Sequence, residues 1–314
     1  MDRKTLEHDL RHSFGMNGWV LLIYYGIMNI SVFIAIILDV IILKPNTNGA
    51  GQSALERASG NGWGYLIACI LGGVLLLIWK KPKHCFCQIW SHEKKMSGKA
   101  FFVLLSAFLT GQAIQILLFP VIEWLLSLLG LSASVFADAA TAGSSTLSMF
   151  LYVAVFAPLF EEILFRGVIL HNFLPYGKKF AIFASSFLFG IFHGNLIQTP
   201  YAFIVGLVLG YAAVEYGLVW SILLHLINNL VLGELLVYID KQFPLLHINL
   251  LLYLLLFCCT IVTVVLSAVK WRSIAEYFSY RRIHPMCLKN FFLSMGVIVF
   301  TVIMLWNILS LLLL

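Results

Sequence analysis

Charge is scarce in this chain. Only 11% of its 314 residues are Asp, Glu, Lys or Arg, and 14 of those are acidic. So few ions cannot solvate a soluble domain of this length, and no soluble module is expected at either end. Cysteines are few, six in all. Cys69, Cys258 and Cys259 fall in apolar stretches, and Cys85, Cys87 and Cys287 in basic loops expected on the reducing side, so no disulfide framework is implied. His84-Cys85-Phe86-Cys87 with His92 matches no standard zinc spacing and reads as juxtamembrane thiols or palmitoylation sites. The first apolar stretch is too long for a signal-peptide core and has no A-x-A cleavage site, so it is expected to be retained. The last residues form no C-a-a-X box, so the chain itself is not expected to be prenylated.

What is present is hydrocarbon. Apolar residues make up 61% of the sequence, with a mean hydropathy of +0.96. At about 20 residues per crossing, nine spans are expected: 17–43, 62–80, 100–130, 146–170, 179–196, 199–214, 218–239, 246–269 and 291–314. The fold class is therefore an all-α polytopic bundle of eight to nine transmembrane helices, a single domain over 1–314. The polar core lies in 146–235, and 1–145 and 236–314 supply flanking helices. Gly and Pro residues between Gly190 and Gly217 imply close or bent helices there. Sixteen Lys and Arg fall on one side of this arrangement and three on the other, which places the N-terminus in the cytoplasm. The net charge of +6 then reflects topology and lipid headgroups as partners, not nucleic acid.

Against that background three polar clusters stand out, because each ionisable group in a span costs about 2.5–3.5 kcal/mol on insertion scales. In the first, Glu162 and Arg166 are spaced i,i+4 and share a helix face, whereas Glu161 projects about 100° away. Glu162 is read as the partner of Arg166. Glu161, left without a local counter-ion, is read as a group that accepts a proton from water. In the second, Phe189 and His193 are again i,i+4. Glu161 lies sixteen residues before Gly177 and His193 sixteen after it, so antiparallel helices bring both to one depth. In the third, His225 and Asn229 share a face, a pair able to stabilise an oxyanion, ligate a metal, or simply bridge helices. Glu123, Glu234, His171 and Asn172 read as interfacial.

The order E-E-x-x-x-R, F-x-x-x-H, H-x-x-x-N, with Leu164-Phe165-Arg166-Gly167 after the glutamates, resembles the signature of the CPBP family of CAAX prenyl proteases and bacteriocin-processing or Abi proteins. The resemblance covers roughly 146–235. It implies an intramembrane endopeptidase in which Glu161 activates water with His193, His225 and Asn229 hold the oxyanion, and Glu162, Arg166 and Phe189 shape the site. The family is described both as metal-dependent and as using a metal-free glutamate. No H-E-x-x-H occurs here; if Zn2+ binds, Glu161, His193 and His225 are the ligands expected. The implied partners are a peptide or membrane-protein substrate, either prenylated or carrying a leader peptide; size and architecture lead to the expectation of a bacterial plasma membrane. Ser185 and Ser186 lack a G-x-S-x-G elbow or a Ser-Lys pair, which disfavours a serine nucleophile. Two other classes compete: a non-proteolytic immunity or scaffold protein, and a proton-coupled transporter, for which no internal repeat is found.

Overall fold

The structure, a computed structural model, describes residues 2–42, 60–79, 94–134, 136, 144–280 and 282–313. Among them are eleven helices and no strand: an all-helical, multi-pass membrane protein. The helices are α1 (Arg3–Ile42), α2 (Trp63–Trp79), α3 (Gly98–Ser127), α4 (147–173), α5 (Lys178–Phe192), α6 (Gln198–Tyr216), α7 (Leu218–Gln242), α8 (Ile248–Val269), α9 (Trp271–Ser279), α10 (Pro285–Phe292) and α11 (Met295–Leu312). Six of these, α1, α3, α6, α7, α8 and α11, are long and apolar enough to cross a bilayer. The His84–His92 cluster lies outside the described residues.

Several expected boundaries move. The first helix begins at Arg3, so its basic N-terminal segment continues the span instead of forming a loop. The fifth span, expected over 179–196, ends at Phe192, because Gly194 takes a left-handed φ of 54° and turns the chain. At 15 residues α5 is about 22 Å long, shorter than a hydrocarbon core of about 30 Å. Its end therefore stops inside the bundle, and Asn195 and Ile197 in the following turn are buried. The ninth span starts at Met295 rather than 291, and α9 and α10 occupy the basic segment before it.

Glycine sets how closely the helices approach. A Cβ on Gly190 would lie 2.9 Å from the Thr199 carbonyl oxygen, and one on Gly210 would lie 3.1 Å from Ile182 Cγ2. These positions pull α5 and α6 together, as small residues do where lipid supplies no hydrophobic drive. At the other flank Gly15 and Gly18 of α1 meet Gly296 of α11 backbone to backbone. Phe14, Phe173, Phe180 and Phe291 then lock α1, α4, α5 and α10 at one end through edge-on and tilted contacts at 5.2–6.4 Å. By contrast, α8 has Leu256 as its one buried residue and is tied to α3 by Thr110–Thr263 at 3.0 Å. The polar residues therefore gather where α4, α5, α6 and α7 meet.

Candidate active site

Two of the site helices are not regular. Helix α4 alternates α turns with π turns at Tyr152–Phe156 and Ile163–Ile169, and α7 carries a π segment at Ile227–Leu235. Such turns leave carbonyls that side chains must satisfy, and they occur most often at functional sites. Here His171 Nδ1 donates to the Arg166 carbonyl at 2.8 Å, and Asn229 Nδ2 donates to the Val153 carbonyl at 3.0 Å.

At the centre is a fully buried ion pair. Arg166 Nη1 donates to Glu162 Oε1 at 2.8 Å, with both side chains shut off from solvent. A buried charge must be paired and hydrogen-bonded to persist, and the surroundings do both. Arg166 Nη2 donates to the Gly206 carbonyl at 3.4 Å, and the guanidinium lies 4.1 Å over the Phe189 ring. Ser221 Oγ bonds Glu162 Oε2. His225 Nδ1 donates to Glu162 Oε1 at 2.9 Å.

That last bond fixes the imidazole. With the Nδ1 proton held by Glu162, Nε2 of His225 turns to Glu161, whose Oε2 lies 3.8 Å away. The gap is too wide for a direct hydrogen bond. His193 caps α5, and its Nδ1 donates to the Phe189 carbonyl at 2.8 Å, so its Nε2 is likewise the free nitrogen. Phe189 stands edge-on to both rings, with centroids at 4.8 Å from His193 and 5.8 Å from His225. The seven residues singled out in the sequence thus fall into one connected group, except that Asn229 spends an amide N–H on α4. Its oxygen accepts from Asn228, which in turn accepts from Tyr201.

The donor types at Glu161, His193 and His225 suit a metal, since each imidazole commits Nδ1 and keeps Nε2 in the manner of metal-bound histidine. Among the described residues, however, no three His, Cys, Asp or Glu side chains are grouped to hold a metal ion.

Ser221 and Gly206 were not singled out in the sequence. Ser221 sits four residues before His225, and that spacing is a usable signal. Gly206 contributes only a carbonyl and room, for which no signal exists. Two acids lie elsewhere: Glu123 accepts from the Ala133 N–H and Ser132 Oγ, and Glu234, buried, accepts from Ser144 Oγ.

Comparison with known families adds one finding. Residues 143–231 match the family model of the type II CAAX prenyl endopeptidases, Rce1-like. No curated protein and no solved structure matches the chain. All seven site residues fall inside the matched stretch, which α4 to α7 enclose. Over residues 143–231, less than a third of its length, the chain is therefore similar to the Rce1-like type II CAAX prenyl endopeptidases.

Proposed function

We propose that this protein is an intramembrane endopeptidase that hydrolyses a peptide bond with a water activated by Glu161. The observation that carries the reading is the 3.8 Å approach of Glu161 Oε2 to His225 Nε2, on an imidazole whose other nitrogen is held by Glu162. One small polar species lying beside the line that joins these two atoms can reach both of them at hydrogen-bond distance.

In this reading Glu161 removes a proton from water, while His193 Nε2 accepts a hydrogen bond from the same water and orients it. The water oxygen bonds to the scissile carbonyl carbon, and the carbonyl oxygen takes the negative charge. His225 and Asn229 stabilise that oxygen, the imidazole from its Nε2 edge, which faces the site because Glu162 holds Nδ1, and the carboxamide through its second N–H. The proton on Glu161 then passes to the leaving nitrogen as the C–N bond breaks. Zinc dependence is a separate proposal. A bound Zn2+ would add Lewis-acid polarisation of the carbonyl, with Glu161, His193 and His225 as its ligands.

The substrate class is a prenylated C-a-a-X peptide or a leader peptide. In this reading the chain crosses the membrane nine times with its N-terminus in the cytoplasm, the six longer spans being joined by α2, by α4, and by α5 together with the buried turn that follows it. Purified protein in nanodiscs is expected to cleave one of two fluorogenic substrates, a prenylated C-a-a-X peptide or a double-glycine leader peptide. Glu161→Gln should insert and fold but lose about 10²–10⁴-fold in turnover. Cleavage at the wild-type rate by Glu161→Gln, or of neither peptide by wild type, overturns the reading. A chelator followed by zinc add-back decides the metal.

A further inference from the structure

Asn229 can stabilise an oxyanion only if its amide nitrogen, and not its oxygen, points into the site. A carboxamide has nearly the same shape in either orientation, so packing alone does not choose between them. A line of hydrogen bonds across three helices does. Asn229 Nδ2 donates to the Val153 carbonyl of α4 at 3.0 Å. Asn228 Nδ2 donates to Asn229 Oδ1 at 2.9 Å, and the Tyr201 hydroxyl of α6 donates to Asn228 Oδ1 at 3.0 Å.

The direction of this line is fixed from its α4 end. A backbone carbonyl only accepts, so Asn229 must turn its NH2 to Val153 and its oxygen to Asn228. Asn228 must then answer with its own NH2, which leaves its oxygen for Tyr201. Only a donor fits there, and the phenol supplies one. In a regular α-helix adjacent side chains do not face each other; here both asparagines belong to the π segment Ile227–Leu235, and their amides meet. Helix α3 backs the phenol. A Cβ on Gly111 would lie 2.7 Å from Val205 Cγ1 and 4.0 Å from Tyr201 Cε2, so α3 runs close beside this part of α6. The Tyr201 residue borders a small cavity with Leu118, Ile122 and Ile204, apolar surroundings in which a hydroxyl is costly without a polar partner.

Taking Asn229 as an oxyanion donor of the proposed hydrolase, a reading on which this rests, we infer that Tyr201 is a positioning residue. Acting through Asn228, it locks the Asn229 carboxamide with one N–H on Val153 and the other free for the developing oxyanion. A proton donated to each amide oxygen in turn polarises that amide, so the free N–H is a stronger donor than that of an isolated asparagine.

The test is a double-mutant cycle on the full chain in nanodiscs, with the peptide that the wild type cleaves. Asn229→Ala removes the donor and is expected to lower kcat by about 10²–10³-fold. Tyr201→Phe keeps the ring and removes the hydroxyl. It should lower kcat about tenfold with KM unchanged, because an oxyanion donor acts in the transition state. In the Asn229→Ala background Tyr201→Phe should change kcat by no more than about twofold, since the group through which it acts is gone. Asn228→Leu cuts the line in the middle, and should leave nothing further for Tyr201→Phe to remove. A hydroxyl that only ties α6 to α7 would cost the same factor in every background. Incorporating 3-fluorotyrosine at position 201 gives a stronger donor of nearly the same shape. It should raise kcat about twofold, and only where Asn229 is present, even if Tyr201→Phe fails to fold. Wild-type kcat in a folded Tyr201→Phe, an equal factor with and without Asn229, or a fluorinated protein with unchanged kcat overturns the proposal. Wild-type kcat in Asn229→Ala removes it together with the oxyanion assignment, whereas wild-type turnover by Glu161→Gln removes the hydrolase reading itself.

Discussion

His225 Nδ1 and Arg166 Nη1 share one acceptor, Oε1 of Glu162, at 2.9 and 2.8 Å. A single carboxylate oxygen thereby couples the orientation of an imidazole on α7 to an ion pair internal to α4. Ser221, one turn before His225, bonds the other oxygen, so neither can rotate away without losing a charge-assisted bond. Glu162→Gln keeps the volume but replaces one acceptor oxygen with an NH2 group. Either His225 or Arg166 then meets a weaker acceptor, or the amide faces a donor. The expected outcome is a loss of about 10–100-fold in kcat/KM in a protein that still folds. Undiminished kcat/KM would show that the His225 tautomer is fixed by something else.

Arg166→Met separates the structural share of the pair from its chemical share. Removing the guanidinium strands the Glu162 carboxylate in a site with no solvent access, which should cost about 3–5 kcal/mol. Glu162→Gln combined with Arg166→Met removes both charges and should recover most of that stability without recovering activity. Unfolding in mixed micelles across the double-mutant cycle measures the coupling. Additive single effects would mean that the two side chains do not depend on each other.

How much of this was legible in the sequence depends on whether the cause is local. The Glu162–Arg166 contact follows from i,i+4 spacing, and the convergence of α4 with α5 follows from the turn at Gly177. The apolar stretches announce the helices because each is a run of side chains that only lipid or protein can cover. The π turn at Tyr152–Phe156 was not legible: its Val153 carbonyl is met by Asn229 from another helix, and such a partner has no fixed sequence offset. The same is true of the Gly206 carbonyl, which reaches Arg166 from α6. The early end of α5 did have a local cause, the left-handed Gly194, but it was masked by apolar residues that continue through Ile197.

Gly206 shows what such a hidden position does. A methyl group there would lie 3.2 Å from Phe189 Cδ1 and Ser186 Cβ and 3.3 Å from Arg166 Nη2. The guanidinium and the ring beneath it would have to shift by a few tenths of an ångström, and both support histidines. Gly206→Ala is expected to reduce kcat by a larger factor than Gly210→Ala, which meets only the Ile182 side chain. Comparing kcat for the two variants at matched expression checks this. A Gly210→Ala effect equal to or larger than that of Gly206→Ala would mean that the Arg166 cradle tolerates displacement.

The α1–α11 crossing offers a test of the bundle itself, because α1 also packs Tyr24 on Phe160 of α4. A Cβ on Gly18 would sit 2.3 Å from the Gly296 carbonyl carbon and oxygen, which are backbone atoms that no rotamer change can move. Gly18→Ala must therefore push the helices apart, at an expected cost of about 1–3 kcal/mol, as for an overpacked core. Gly26, two turns further along the same helix, has nothing within 4 Å of an added Cβ. Alanine there should be neutral or stabilise the helix by about 0.5–1 kcal/mol. Thermal unfolding in one lipid composition compares the two directly. Because the Tyr24 ring of α1 packs on Phe160, the residue before Glu161, Gly18→Ala should also lower kcat while Gly26→Ala leaves it unchanged. Equal stability and equal turnover in the two variants would mean that α1 is not held against α11 at the backbone distance described here.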